Sequence, residues 1–340
     1  MKLKNKIKEI NSHVNKAENY KKEGKLEEAI TSYQKAIQLE PNVSPVIYVK
    51  LGDLLGETER FEEAMSCYQT ASYKTIAKSH PDFVKVHWDR DGIRQPNFII
   101  IGPPKTGTTS LYNYLIQHPQ ILPAIRKEIG VAGFKPFQKN LDLYLSHFPS
   151  IPKDSNFLTG EAGTGYFIST RQREKLTSLF PKVKLITMLR HPVDRVISHY
   201  NHNAKNGLEK RSLEEVIDSQ LEATQIFIEK DGNVGWNEIA PAYLPISLYH
   251  HWLKKWMSVV PKEQLLILSS EEFFNSPSEV VKKVFSFLEV ENYCLSEYKK
   301  YNVGAYKNST GNRIKFTLSE FFKPHNKYLE EYLNRSFDWS

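Results

Sequence analysis

Lys105 lies in a short loop bounded by Gly102 and Gly107 and is accompanied by four hydroxyl residues, Thr106, Thr108, Thr109 and Ser110. The apolar run Phe98-Ile99-Ile100-Ile101 comes before it and Leu111 to Ile116 follows, a pattern that predicts a buried strand turning into a helix. Glycines let the backbone come close to a ligand, helix-start amides point outward, and a lysine adds fixed positive charge. Together these hold an anion such as a phosphate or a sulfonate, whose oxygens hydroxyl groups can also reach. The spacing of Gly102 and Gly107 is that of a nucleotide-triphosphate loop, but Thr108 stands where that loop carries its lysine, which here comes earlier. The plainer alternative is a strand-turn-helix corner with a solvated lysine.

A second basic residue sits at a similar place. Lys182 to Leu189 is another apolar run, and Arg190-His191-Pro192-Val193-Asp194-Arg195-Val196-Ile197-Ser198 follows it. An arginine at a strand end can fork onto a phosphate, and Ser198, about two turns into the next helix, can add a hydroxyl. A kinase or GTPase would need an acidic residue there to hold magnesium. The alternative for Arg190 is a surface pair with Asp194.

These two stretches resemble the 5′-phosphosulfate loop and the 3′-phosphate motif of sulfotransferases that use 3′-phosphoadenosine 5′-phosphosulfate, in particular the heparan sulfate sulfotransferase-like branch. The resemblance implies that Lys105, Thr106, Gly107, Thr108, Thr109 and Ser110 hold the sulfate end of the donor, and that Arg190 and Ser198, eight positions on, clamp its 3′-phosphate. It also implies a loop closing on that phosphate at Tyr301-Asn302-Val303-Gly304-Ala305-Tyr306, with Gly304 offering its amide. Val303 and Ala305 stand where related loops carry basic residues. The likeness runs from about Asn97 to the C-terminus.

Sulfuryl transfer needs charge stabilisation on the leaving adenosine 3′,5′-bisphosphate, a base for the acceptor and in-line placement of the two. Lys105 suits the first role. Glu128, in the expected loop Leu122-Pro123-Ala124-Ile125-Arg126-Lys127-Glu128, is similar to the family's base glutamate. Downstream, Ile129-Gly130-Val131-Ala132-Gly133-Phe134 departs from the family's aromatic pattern. Glu161 is a rival base, or a residue that orients another side chain; its neighbour Ala162 replaces the family's lysine. His118 and His191 are the histidines closest to the motifs, at positions that read as structural.

The elements that must carry these residues can be read from periodicity. Apolar strands at Asn97 to Ile101, Phe157 to Gly160, Lys184 to Leu189 and Leu265 to Leu268 alternate with helical stretches, which predicts an α/β fold: a P-loop-like parallel sheet flanked by helices. Lys105 and Arg190 both follow strand ends and so belong on one rim. Ser276-Pro277-Ser278-Glu279 reads as a capped helix start with a capping box.

The first eighty residues are an all-α helical-repeat segment. Glu27-Glu28-Ala29 through Tyr33 and Ala36 recurs as Glu62-Glu63-Ala64 through Tyr68 and Ala71, 35 residues later, close to the tetratricopeptide period of about 34. Two copies are few for a free-standing array, so the helix before Ala17 is expected to cap them or the module to pack on its neighbour. The expected organisation is residues 1–80 as repeats, docking a protein partner or a second subunit, and residues 93–340 as the sulfotransferase domain.

Composition narrows the rest. A chain of 340 residues with a formal net charge of +7 suits a polyanionic ligand. Only Cys67 and Cys294 occur, which indicates neither disulfides nor a cysteine metal site. No nucleic-acid-binding signature, secretory leader or bilayer-length apolar run is present, so the expected address is the cytoplasm. The expected activity is metal-free transfer of a sulfuryl group to an acceptor hydroxyl on a carbohydrate or glycolipid. The competing readings are a kinase or nucleoside-triphosphatase with an unusual loop, and an interaction protein with an inactive nucleotide domain.

Overall fold

The computed structural model describes residues 2–88, 92–130, 140–232, 241–299 and 311–339. The N-terminal helices are α1 (Lys2–Lys22), α2 (Leu26–Leu39), α3 (Pro45–Glu57), α4 (Phe61–Ser79) and α5 (Pro81–His87). α1 packs along α2 and α3 along α4, the paired antiparallel arrangement of a helical repeat. The helices approach closely because small side chains line the seams: Ala17, Ala29, Ala36, Ala64 and Ala71 are all fully buried. Gly52 belongs to this set, since a Cβ there would come within 2.6 Å of the Tyr68 ring. Tyr33 and Tyr68, the large residues of the repeat, are buried and donate their hydroxyls to Glu18 and to Asp53. The helix before the first copy is therefore a full partner of α2.

The strands and helices that follow are β1 (Phe98–Gly102), α6 (Thr108–Leu115), β2 (Ile121–Pro123), α7 (Leu141–Leu145), β3 (Leu158–Ala162), α8 (Thr170–Leu179), β4 (Lys184–Leu189), α9 (Pro192–Lys205), α10 (Leu213–Glu229), α11 (Tyr249–Met257), β5 (Leu265–Ser269), α12 (Ser270–Asn275), α13 (Pro277–Leu288) and α14 (Asn312–Leu333). Five strands form a sheet in the order β2-β3-β1-β4-β5. β1 runs parallel to β4, β4 to β5 and β2 to β3, with, for example, Phe98 opposite Lys184, Leu185 opposite Leu265 and Ile121 opposite Leu158. Every residue of β1 is buried, as expected of a central parallel strand covered on both faces.

Two compact units emerge from the packing. One comprises residues 1–97 with 119–161, the other residues 98–118 with 162–340. The first includes the repeat helices, β2 and nearly all of β3. Ile76 and Phe83 of the helical segment share a buried cluster with Leu122 and Ile151, and Val84, Trp88 and Phe157 pack against it. The second holds β1, β4 and β5 with the helices that follow them.

Two local expectations are corrected. Leu122 and Pro123 belong to strand β2 rather than to a loop; β2 is a three-residue edge strand, held to β3 in part by the Thr159 hydroxyl on the Leu122 carbonyl (2.8 Å), and its proline is tolerated at the sheet edge. Its shortness leaves no readable periodicity. Ser276 does start a helix, but its side chain makes no cap hydrogen bond. Its backbone amide closes α12 on the Glu272 carbonyl instead (2.8 Å), at a ψ of 65° rather than the extended geometry that an N-cap hydroxyl requires, and Glu279 pairs with Lys282.

Leu122→Ala should lower stability by about 2–5 kcal/mol, because it opens a cavity in a fully buried cluster. An earlier midpoint in urea unfolding, followed by circular dichroism, is the expected result.

Candidate active site

In the second unit, β1 ends at Gly102 and the chain turns through residues 103–107 into α6. Gly102 and Gly107 have φ of 102° and 101°, values that a side chain strains to adopt. Both are also crowded: a Cβ on Gly102 would lie 2.9 Å from the Thr164 carbonyl oxygen, and one on Gly107 3.0 Å from the Phe274 ring. The loop is pinned from several directions. The Thr106 hydroxyl donates to the Pro103 carbonyl (2.8 Å), Ser270 to the Thr106 carbonyl (2.7 Å) and Thr187 to the Gly102 carbonyl (2.7 Å). With its hydroxyl proton directed into the loop, Thr106 has its backbone amide to offer an anion. Thr108, Thr109 and Ser110 form the first turn of α6, where helix geometry leaves amides without intrahelical acceptors and the helix dipole favours negative charge.

Arg190 follows the last residue of β4 and donates from Nη1 to the carbonyl oxygen of Lys105 (3.1 Å). The structure thus joins the two basic motifs, 85 residues apart in sequence, at the carboxyl ends of adjacent strands. Burial holds the Lys105 ammonium below the ordinary lysine range, and the nearby Arg190 charge pushes it further down. Ser198 is buried on α9, two turns beyond Arg190. Arg195 on the same helix is fully buried; it donates to the Ser247 hydroxyl and the Tyr243 carbonyl, and burial brings it down to about 10. His199 is held down at about 3, by burial first and then by Arg195 and Lys105. An electropositive, half-buried cradle of this kind fits an anion of two or more charges.

The Arg190 turn has supports that the sequence did not announce. Glu271 accepts the His191 amide (2.8 Å), the Ser269 hydroxyl (3.0 Å) and the Trp339 indole N–H (3.2 Å). Tyr249 donates its hydroxyl to the Arg190 carbonyl (2.8 Å). No spacing signal links these residues to the motif. His118 is structural, with Nε2 2.8 Å from the Glu291 carbonyl. Gly304 lies outside the described residues, as do Val131 to Phe134.

In the first unit, the segment after β2 carries Lys127 and Glu128. Glu128 has a φ of 59° and Gly130 a φ of 70°, so the backbone is held in the left-handed region on either side of Ile129. Glu161 explains how. It is fully buried on β3, one carboxylate oxygen accepting the amides of Ile129 (2.9 Å) and Gly130 (3.3 Å), the other the Tyr144 hydroxyl (2.8 Å). This glutamate braces the segment that follows Glu128. Burial lowers the Lys127 ammonium, against the opposing pull of Glu128.

A sulfotransferase domain family matches residues 95–311, more than half of the chain. The chain belongs to the sulfotransferase family. Tetratricopeptide repeat families match residues 17–59 and 46–73, the first unit's helical repeat. A human bifunctional heparan sulfate N-deacetylase/N-sulfotransferase 3 is 31% identical over 211 residues, covering 58% of this chain and 22% of that protein. A membrane-associated sulfotransferase, kil1, of Dictyostelium discoideum is 27% identical over 315 residues, covering 72% of this chain and 66% of its own. The chain therefore spans only about a fifth of the human relative's length. The crystal structure of a sulfotransferase from Alicyclobacillus acidocaldarius superposes with a TM-score of 0.57 at 25% identity, covering 72% of this chain and 98% of that one. Among the described residues, no group of three or more His, Cys, Asp or Glu could hold a metal ion, and no helix is long and apolar enough to cross a membrane.

Within this sulfotransferase, Arg190→Met should raise the Lys105 pKa toward the ordinary lysine value by removing the neighbouring charge. Titration of the Lys105 side-chain NMR signal against wild type checks this. In wild type the folded form binds fewer protons than the unfolded chain between the lowered and the ordinary pKa, so this group's contribution to stability rises with pH through that alkaline window.

Proposed function

We propose that the chain transfers a sulfuryl group from 3′-phosphoadenosine 5′-phosphosulfate to an acceptor hydroxyl on a carbohydrate or glycolipid, in the cytoplasm. The observation that carries this reading is the hydrogen bond from Arg190 to the Lys105 carbonyl, which gathers two cationic side chains at the ends of β1 and β4. Two cations this close are settled by a polyanion, and an arginine takes the place where a nucleoside-triphosphatase needs a magnesium-binding acid.

In this proposal Lys105, the amides of Thr106 and Gly107, and the amides and hydroxyls of Thr108, Thr109 and Ser110 hold the sulfate end of the donor. Arg190 and Ser198, with the Gly304 amide, hold the 3′-phosphate. Bound in this way, the phosphosulfate supplies a sulfuryl group on a leaving group that departs as adenosine 3′,5′-bisphosphate. Lys105 keeps a positive charge where negative charge builds up, and Glu128 takes the acceptor proton. Residues 93–340 serve as the transferase domain and residues 1–80 as repeats that recruit a partner. The human relative's name specifies N-sulfation of heparan sulfate, so a nitrogen acceptor is the rival to a hydroxyl.

The experiment is transfer from sulfur-labelled donor to a panel of glycans and glycolipids that includes N-unsubstituted heparan sulfate. Label on an acceptor supports the reading, whereas magnesium-dependent ATP hydrolysis without label transfer would replace it. Lys105→Ala and Arg190→Ala should each weaken binding of adenosine 3′,5′-bisphosphate about tenfold to a hundredfold, measured by calorimetry, the loss expected for a charge-assisted hydrogen bond. Glu128→Gln should leave that affinity unchanged and lower turnover by about 10²–10⁴-fold, measured as the initial rate of label transfer.

A further inference from the structure

The helical repeat contains an acidic ladder that the transferase segment completes. Glu18 and Asp53 are separated by the same 35 residues as their tyrosine partners Tyr33 and Tyr68. Each carboxylate also takes a cation. Glu18 accepts Lys50 from α3, one repeat further on (2.5 Å). Asp53 accepts Arg126, whose Nη1 reaches both carboxylate oxygens (2.8 and 2.7 Å). In the second copy, an arginine from the Glu128 segment thus fills the place that a lysine from the following helix fills in the first.

The contact is well made. The Asp53 side chain is 16% exposed and that of Arg126 27%, so solvent screens the pair less than an open surface bridge. The Arg126 guanidinium also lies over the Tyr68 ring, 5.9 Å from its centroid, and Tyr68 packs on the His147 imidazole at 4.0 Å. The His147 carbonyl accepts the amide of Ile125 (3.0 Å). The segment bearing Glu128 is therefore anchored on both sides: Ile125 and Arg126 by the repeat cluster, Ile129 and Gly130 by Glu161. Glu128 sits between these anchors at a positive φ that an unbraced chain would leave.

We infer that Asp53, through Arg126, is a positioning residue for Glu128, making the repeat module part of the catalytic apparatus. This rests on the reading of Glu128 as the base. A base misplaced by about 1 Å can cost about a hundredfold in rate, so the repeat sets turnover without touching substrate.

The test uses the full chain with Asp53→Ala, Arg126→Met and the near-isosteric Asp53→Asn, each alone and combined with Glu128→Gln. Hydrogen exchange followed by mass spectrometry should speed up in the peptide spanning 124–130 of Asp53→Ala, while exchange in β4 and α9 stays as in wild type. Affinity for adenosine 3′,5′-bisphosphate should be unchanged. With the acceptor labelled in the panel above, kcat should fall about tenfold to a hundredfold, and the same substitution should add almost nothing in the Glu128→Gln background. Arg126→Lys, which keeps the charge, should recover part of the loss. Unchanged exchange at 124–130, or a normal kcat in a folded Asp53 or Arg126 variant while Glu128→Gln is inactive, overturns the inference alone. Full turnover by Glu128→Gln overturns the base assignment instead. Should Asp53→Ala fail to fold, Asp53→Asn and Arg126→Met carry the same comparison.

Discussion

The hydrogen bond from the Arg190 guanidinium to the Lys105 carbonyl is the constraint on which the basic cradle depends. It sets two positive side chains at neighbouring strand ends, and the folded chain tolerates that only because each is fixed by something else. Lys105 rides on a loop held by Thr106, Ser270 and Thr187, and the Arg190 turn is held by Tyr249 and Glu271. Burial first, and then the Arg190 charge, hold the Lys105 pKa down, and negative charge placed beside the ammonium would offset both.

The carboxylate segment follows a different physical logic. Three acidic side chains in the first unit have three fates. Glu161 is fully buried and satisfied by two amides and a hydroxyl, which makes it an anchor. Asp53 is bound by an arginine and a tyrosine, which makes it a tie between repeat and segment. Glu128 lies between the two ties at a left-handed backbone, which leaves it as the candidate for proton transfer. Identical chemistry is sorted into roles by partners and burial alone.

The helical repeat accordingly has more than one use for the same geometry. Its Ala and Gly seams permit close helix pairing, and its tyrosine-carboxylate pairs recur with the repeat. In the second copy the lysine equivalent to Lys50 is Lys85 of α5, which pairs with Asp82 (3.6 Å), and Arg126 supplies the cation to Asp53 instead. Few repeats and a neighbouring segment that completes them are two sides of one packing requirement.

Local signals in the chain were enough for much of this: continuous apolar runs for the central strands, a 35-residue recurrence for the helical repeat, and the glycine-lysine-hydroxyl and arginine motifs for the basic turns at the ends of β1 and β4. Each is written within a few residues, where side-chain periodicity and backbone preference act directly. The short strand β2 and the unused Ser276 cap were illegible, because three residues show no period and a cap depends on the ψ that its neighbours impose. The roles of Asp53, Glu161 and Glu271 were decided only by the tertiary structure. Asp53 meets Arg126 across 73 residues and Arg190 meets Lys105 across 85, and a carboxylate or guanidinium carries no mark of its partner until folding brings the two within hydrogen-bond reach.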